Sequence, residues 1–318
     1  MIKLKSEDEI ISTWKGDAKQ PLVSICCIAF NHEPYIDDAL ASFLLQETDF
    51  PFEILIHDDA STDNTAEIIR EYALKYPKLI RPIYQVENQY SKGVQMNETF
   101  NFPRVKGKYV ALCEGDDYWV CKDKLSKQKD ALERTNLDLC FTSFYERTND
   151  NKLKLIERRA GDYKVQNIID NGASLARTAT LFIRTEALFP LPDWLNSAPV
   201  GDFFLQVLVG RNGAICLNEP CSVYRMYVEN GWTAKILKSN KDLYSMTEKM
   251  LASLEELDKH FVENCYTPID MASMKNRILA QFLVTVIKTG DFSFLYIFVR
   301  EYGFLKALHV FLWKIRQL

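Results

Sequence analysis

The feature that most limits what this chain can fold into is a repeated unit: a short apolar run, a polar or acidic break, then an amphipathic stretch. Leu22-Val23-Ser24-Ile25-Cys26-Cys27-Ile28-Ala29-Phe30 is the first run and stops at Asn31-His32. Asp37 to Gln46 follows, with Ala39, Leu40, Phe43 and Leu44 spaced for one helical face. Phe52 to His57 is the second run and ends in Asp58-Asp59-Ala60-Ser61-Thr62-Asp63-Asn64-Thr65. A helix should start there, with Asn64 and Glu67 spaced as a capping box, and run to about Tyr76, where Pro77 stops it. Leu79 to Val86 reads as a third strand. Glu87 to Arg104 reads as a polar loop with a short helix. Lys108 to Cys113 is a fourth strand, with a helix over Lys122 to Arg134 behind it. Strands alternating with helices imply an α/β architecture: a Rossmann-like, mostly parallel sheet with helices on both faces and right-handed crossovers. The breaks after the strands then lie on one sheet edge, the carboxyl edge, where such sheets bind ligands.

After Asp138 the pattern changes. Leu139 to Tyr145, Leu153 to Arg158 and Ala179 to Arg184 read as strands, Val165 to Asp170 as a short helix, and Asp202 to Leu208 as helical. Ala214 to Leu217 and Ser222 to Met226 read as two short strands around Pro220. From Leu237 onward the chain reads as helices, with Leu243, Met246, Met250 and Leu254 on one face. The chain thus divides into a polar lead segment (1–20), a central α/β unit (21–235) and a helical C-terminal extension (236–318).

The fourth strand carries the most informative break. Val110-Ala111-Leu112-Cys113 runs into Glu114-Gly115-Asp116-Asp117 and then Tyr118-Trp119. Carboxylates packed this closely repel one another, and a divalent cation among them relieves the repulsion. A solvated acidic turn would read the same from this stretch alone. The net charge of -4 argues against a general nucleic-acid binder. Eight cysteines without a CxxC pair do not suggest a zinc site and read as buried free thiols of a cytoplasmic protein. Met1 to Lys19 lacks the apolar core of a signal peptide. The runs Phe282 to Ile287 and Phe292 to Val299 fall short of the ~20 residues that span a bilayer, so no transmembrane helix is expected.

Taken in order, these motifs resemble the family 2 glycosyltransferases of the GT-A fold, bacterial surface-polysaccharide type. The first strand with Phe30-Asn31 is similar to the family's opening. Asp58 to Thr65 resembles its Asp-Asp-x-Ser-x-Asp-x-Thr signature, and Glu114 to Asp117 its metal-binding Asp-x-Asp element. Gly201-Asp202 with Phe203, Phe204 and Leu205 resembles the segment carrying the catalytic base, and Tyr224-Arg225 a pair near the end of the catalytic unit. The resemblance spans about Pro21 to Ala234. It implies that Ile28, Phe30, Asn31, Asp58 and Asp59 line the nucleotide pocket, Asp59 bonding the base, with a looser match for Asn88 and Lys92. It implies that Asp116 and Asp117 share ribose and metal-bound diphosphate, with Glu114 nearby and Mg²⁺ or Mn²⁺ as cofactor. It implies that Asp202 takes the acceptor's proton. Thr180, Tyr227 and Trp232 are the acceptor-side or lid candidates. Many relatives carry a metal-binding histidine after the Tyr-Arg pair, where this chain has Tyr227.

The activity so implied is inverting, metal-dependent transfer of a sugar from a nucleotide-sugar, UDP by resemblance, to a hydroxyl of a glycan or lipid-linked acceptor. The alternatives are a polyprenyl-phosphate sugar synthase and a non-catalytic nucleotide-sugar-binding scaffold. Each local motif also has a structural reading: Asp58 and Asp63 as turn or capping groups, Asp202 as a helix N-cap, Tyr118 and Trp119 as core anchors, His32 and His57 as structural hydrogen-bonding groups. The apolar C-terminal stretch, with Lys306, Lys314 and Arg316, fits peripheral contact with the inner face of the cytoplasmic membrane, packing on the catalytic unit, or a homodimer contact.

Overall fold

Successive residues of a strand point to opposite faces, and the first strand shows it directly. In β1 (Val23–Ala29), Cys26 enters one hydrophobic cluster while Ile25 and Cys27 enter another. β2 (Phe52–Asp58) does the same, with Leu55 on one side and Ile54 and Ile56 on the other. Adjacent Cys26 and Cys27 therefore serve two cores, one on each face of the sheet. The computed structural model describes residues 3–148, 150–226, 240–290, 292–303, 305 and 309–310.

The remaining strands are β3 (Ile80–Tyr84), β4 (Tyr109–Leu112), β5 (Tyr118–Trp119), β6 (Leu139–Arg147), β7 (Leu153–Ile156), β8 (Gly161–Tyr163), β9 (Phe182–Arg184) and β10 (Ala214–Arg225). They form one 10-stranded sheet in the order β3-β2-β1-β4-β9-β6-β10-β5, with β7 on β6 and β8 on β10. The first four strands in that order run parallel, so the ends of β1, β2 and β4 share one edge. The second half is mixed: β9 is antiparallel to β4 and β6, β5 and β8 are antiparallel to β10, and β10 runs parallel to β6.

Helices α2 (Ile36–Leu44), α3 (Thr65–Lys75) and α4 (Lys124–Glu133) contribute Ile36, Leu40, Phe43, Ile69, Leu125 and Leu132 to the cluster on one face. The other face is covered by α5 (Val165–Asn171), α6 (Gly201–Val209) and α7 (Asn240–Glu263). Met250, Leu254 and Leu257 lie in that cluster, and Met246 packs against it. α8 (Ala272–Thr289) and α9 (Phe292–Tyr302) add a satellite cluster around Leu279, Phe282, Leu283 and Phe298. Leu243, expected on the same face of α7, lies in this separate cluster with α8 and α9, so the predicted face is split between two cores. No described helix is long and apolar enough to cross a membrane. The lead segment forms α1 (Glu7–Ile11), where Ser6 and Glu9 make a reciprocal capping box and Ile10 is buried.

Four local expectations are corrected. Asn64 and Glu67 make no capping box: Asn64 donates to Glu33 Oε1 (2.7 Å), Glu67 pairs with Arg70, and the Thr65 amide donates to Asp63 Oδ1 (3.0 Å). A tertiary partner outbids the local one. The two short strands around Pro220 are one strand, β10, whose register against β6 slips on both sides of Pro220, a residue with no N–H to donate. The strand expected from Ala179 begins only at Phe182, because Thr178 to Thr180 form a 3₁₀ turn closed by the Thr180 amide on Arg177 O. The cysteines are all free thiols, but Cys121 is half-buried and Cys265 exposed.

Candidate active site

The site forms on the shared strand edge. Beyond β1, Asn31 sits at φ 55, and beyond β2, Ala60 sits at φ 60, both in the left-handed region that non-glycine residues seldom occupy. The two turns are tied together. Asn31 Oδ1 accepts from the Thr62 amide (2.8 Å), and the Asn31 amide donates to Ser61 Oγ (2.9 Å). Asp58 is buried and accepts from both the amide and the hydroxyl of Ser61. Burial still holds its carboxyl above the usual range. Asp63 accepts from the Glu33 amide and from Thr65. Ile28 and Phe30 are half-buried at the end of β1.

Asp59 is buried and accepts from the backbone amides of Gln89 (2.7 Å) and Tyr90 (3.0 Å), while its carbonyl accepts from Asn88 Nδ2 (3.1 Å). Asp59 thus latches the loop after β3 onto the turn beyond β2. Lys92, in that loop, is ion-paired with Glu87.

The acidic turn after β4 is set by Gly115. A Cβ there would lie 2.8 Å from Ile36 Cδ1, 2.9 Å from His32 Nδ1 and 3.2 Å from Ala29 Cβ, so any side chain at this position would push its neighbours aside. The Gly115 amide is bonded to Ile28 O (2.9 Å). Glu114, Asp116 and Asp117 each present a carboxylate oxygen, and these atoms lie within 4.8 Å of one another. Burial, then the charges of Asp116 and Asp202, push the Glu114 carboxyl up to about 8, with Arg177 opposing. Burial and the charges of Asp116 and Glu114 push Asp117 well above the ordinary carboxylate range. Asp117 Oδ1 accepts the Arg225 amide (2.8 Å), whereas Oδ2 is buried with no hydrogen-bond partner. His32 Nε2 lies 3.7 Å from Asp116 Oδ2. Three crowded hard-oxygen donors, one of them orphaned, fit a cation such as Mg²⁺ or Mn²⁺.

Asp202 is not the cap of α6; Val200 holds that place and makes no side-chain cap bond. Asp202 lies inside the first turn, where Oδ1 accepts the Phe203 amide (2.9 Å). Burial raises its carboxyl despite that bond and the charge of Arg177. Glu114 feels the charge of Asp202, so the base candidate lies near enough to the acidic turn to act on it electrostatically.

Some residues fall elsewhere than expected. Thr180 is fully buried, with its hydroxyl bonded to Arg177 O (2.7 Å) and its carbonyl accepting Gln128 Nε2 (2.9 Å), so it faces protein rather than an acceptor. Tyr227 and Trp232 lie outside the described residues. Trp119 is a core anchor, its indole N–H donating to Ala179 O (2.9 Å). His57 bonds Gln85 (3.1 Å) and stacks on Phe100.

One arginine at the site, Arg177, escaped the sequence reading, and a second, Arg225, was read only in part. Arg177 stacks on Tyr224 at 4.2 Å, bonds Glu146 Oε1 (2.9 Å) and sets its charge against Glu114 and Asp202. Its only local signal was its place before Thr178-Ala179-Thr180. Arg225 was noted as half of a motif, but its partners were not legible. Its guanidinium donates to Asp116 O (2.6 Å), pairs with Asp38 and lies 4.6 Å over the Tyr118 ring, bracing the acidic turn.

The family description "Glycosyl transferase family 2" matches residues 24–189, more than half of the chain. The chain belongs to that family. It is a glycosyltransferase, and its fold is GT-A. An uncharacterised protein of Mycobacterium tuberculosis is 34% identical over 241 residues, 74% of this chain and 67% of its own length. The Escherichia coli UDP-Glc:alpha-D-GlcNAc-diphosphoundecaprenol beta-1,3-glucosyltransferase WfaP is 34% identical over 124 residues, 39% of this chain and 46% of its own. Among solved structures, S. aureus TarS with UDP-GlcNAc matches 90% of this chain and 79% of its own, with a TM-score of 0.60 at 20% identity.

Proposed function

We propose that this glycosyltransferase moves a sugar from a UDP-sugar to a hydroxyl of a glycan or lipid-linked acceptor, with inversion, in the assembly of a bacterial surface polysaccharide. The observation that carries the reading is the convergence of Glu114, Asp116 and Asp117, within 4.8 Å of one another, with the separate carboxylate of Asp202 near enough for its charge to act on Glu114. The named substrates of WfaP and the UDP-GlcNAc bound to TarS support a UDP-sugar donor.

Asp116 and Asp117, with Glu114 beside them, would hold Mg²⁺ or Mn²⁺, which supplies Lewis-acid neutralisation of the departing diphosphate. The turns at Asn31 and Ala60, closed by the loop latched on Asp59, hold the nucleotide end. Arg225 fixes the acidic turn, so its carboxylates need little reorganisation. Asp202 accepts the proton of the acceptor hydroxyl as the new C–O bond forms and the bond from the anomeric carbon to the diphosphate breaks. Its raised affinity for a proton suits it to that task. Attack from the face opposite the diphosphate inverts the anomeric centre. The positive charge of Arg177 opposes the raised proton affinity of both Glu114 and Asp202.

The test is a panel of nucleotide-sugars, each followed by thermal shift with and without Mn²⁺ and by product release. The donor raises the melting temperature by mass action, and Mn²⁺ enlarges the shift. Absence of a shift with every donor would defeat the proposal.

A further inference from the structure

A second group of potential ligands lies away from the acidic turn. Cys121 follows β5, while Glu219 and Cys221 flank Pro220 in β10. The ladder between these strands continues through the Val120 amide to Cys221 O (2.9 Å). In a regular antiparallel pair, Cys121 would face Pro220 and Cys221 would point to the other side. The register slips at Pro220 remove that restriction. As a result, Cys121 Sγ, Cys221 Sγ and a Glu219 carboxylate oxygen all lie within 4.8 Å of one another.

We propose that Cys121, Cys221 and Glu219 form a binding site for a thiophilic divalent cation, zinc being the one whose preferences they fit. Zinc takes cysteine sulfur at about 2.3 Å and carboxylate oxygen at about 2.0–2.2 Å in a tetrahedron, so donors converging on one centre are a few ångströms apart. Two sulfurs and one oxygen provide three corners. The site opens to solvent at Glu219, whose side chain is 44% exposed, leaving the fourth corner to water and giving the cation an entry path. Cys221 is buried at the inner corner and Cys121 half-buried. On binding, each thiol releases its proton to solvent as its sulfur coordinates, and Lys127, now paired with both Glu219 and Asp123, keeps Asp123. The softness of the ligands separates this site from the all-oxygen acidic turn, which suits Mg²⁺ or Mn²⁺.

The location suggests what the cation does. β5 pairs with β10 through Trp119–Ser222 and Tyr118–Val223, extended by the single Val120–Cys221 bond. Immediately before β5 is Asp117, and the last residue of β10 is Arg225, whose amide bonds Asp117. A cation held by Cys121, Glu219 and Cys221 would clip this short ladder from its other end.

The experiment titrates the reduced full chain with Co²⁺ and then Zn²⁺. The expected result is a thiolate-to-cobalt absorption band with tetrahedral ligand-field bands, saturating at one equivalent and displaced by zinc. Cys121→Ser and Cys221→Ser abolish it. Glu219→Gln, a partly exposed site that leaves the core intact, weakens cobalt affinity at least ~10-fold. Asp116→Asn keeps the band, which separates this site from the acidic turn. No band in the wild type, or a band that survives both serine variants, overturns the proposal. So does mass spectrometry showing a Cys121–Cys221 disulfide in the isolated protein together with no cobalt band after full reduction.

Discussion

Removing one charge from the acidic turn tests its electrostatics in the metal-free protein. At 4.8 Å, two unit charges repel by about 3.5 kcal/mol at an effective dielectric of 20, or roughly 2.5 pK units. Burial is the largest cause and this repulsion adds to it, and together they move Glu114 from an ordinary 4.5 to about 8. Because the folded value is raised, the folded state holds a proton that the unfolded state has released. The stability associated with that proton is present below about pH 4.5 and is lost as pH rises, until the loss levels off near pH 8. Glu114→Gln carries no such proton. In EDTA, the stability of Glu114→Gln should therefore gain on wild type by up to about 1.4 kcal/mol per pH unit between those limits, then plateau. Urea denaturation of both proteins at four or more pH values from 5 to 9 measures the difference. Mn²⁺ at neutral pH should reverse the order, stabilising the wild type more. Parallel stability curves, with a difference independent of pH, would refute the electrostatic reasoning.

Asp202→Asn should retain the donor-induced thermal shift and lose transfer by ~10²–10⁴-fold, read in a product-release assay; near wild-type transfer would remove Asp202 as the base. Asp59→Ala breaks two charge-assisted bonds to the Gln89 and Tyr90 amides and should cost about 2–4 kcal/mol in urea denaturation, with faster proteolysis of the loop after β3. Gly115→Ala forces a Cβ to within 2.8 Å of Ile36 and should cost about 1–3 kcal/mol, with loss of the Mn²⁺-dependent part of the donor shift.

What the sequence by itself determined is the part governed by local periodicity. The near-continuous apolar runs in Val23–Ala29 and Phe52–Asp58 mark strands buried on both faces. The spacing of Ala39, Leu40, Phe43 and Leu44 marks the helix between them. From that alternation of strand and helix follow the parallel half-sheet and the edge where Asp58, Asp59 and the Glu114–Asp117 turn must emerge. Gly115 is legible as a break, though not as the residue that passes His32 and Ile36. Only the tertiary structure decided the partners. Asn64 turns from its own helix to Glu33. Thr180 is enclosed while Arg177, three residues earlier, faces the acids. Arg225 reaches Asp116, Asp117 and Asp38. Cys121 meets Cys221 because a proline breaks the ladder. The reason is physical. Burial repeats along the chain with the period of its helix or strand and can be read residue by residue. A hydrogen bond or an ion pair between distant segments depends on strand order and register, which no local stretch encodes.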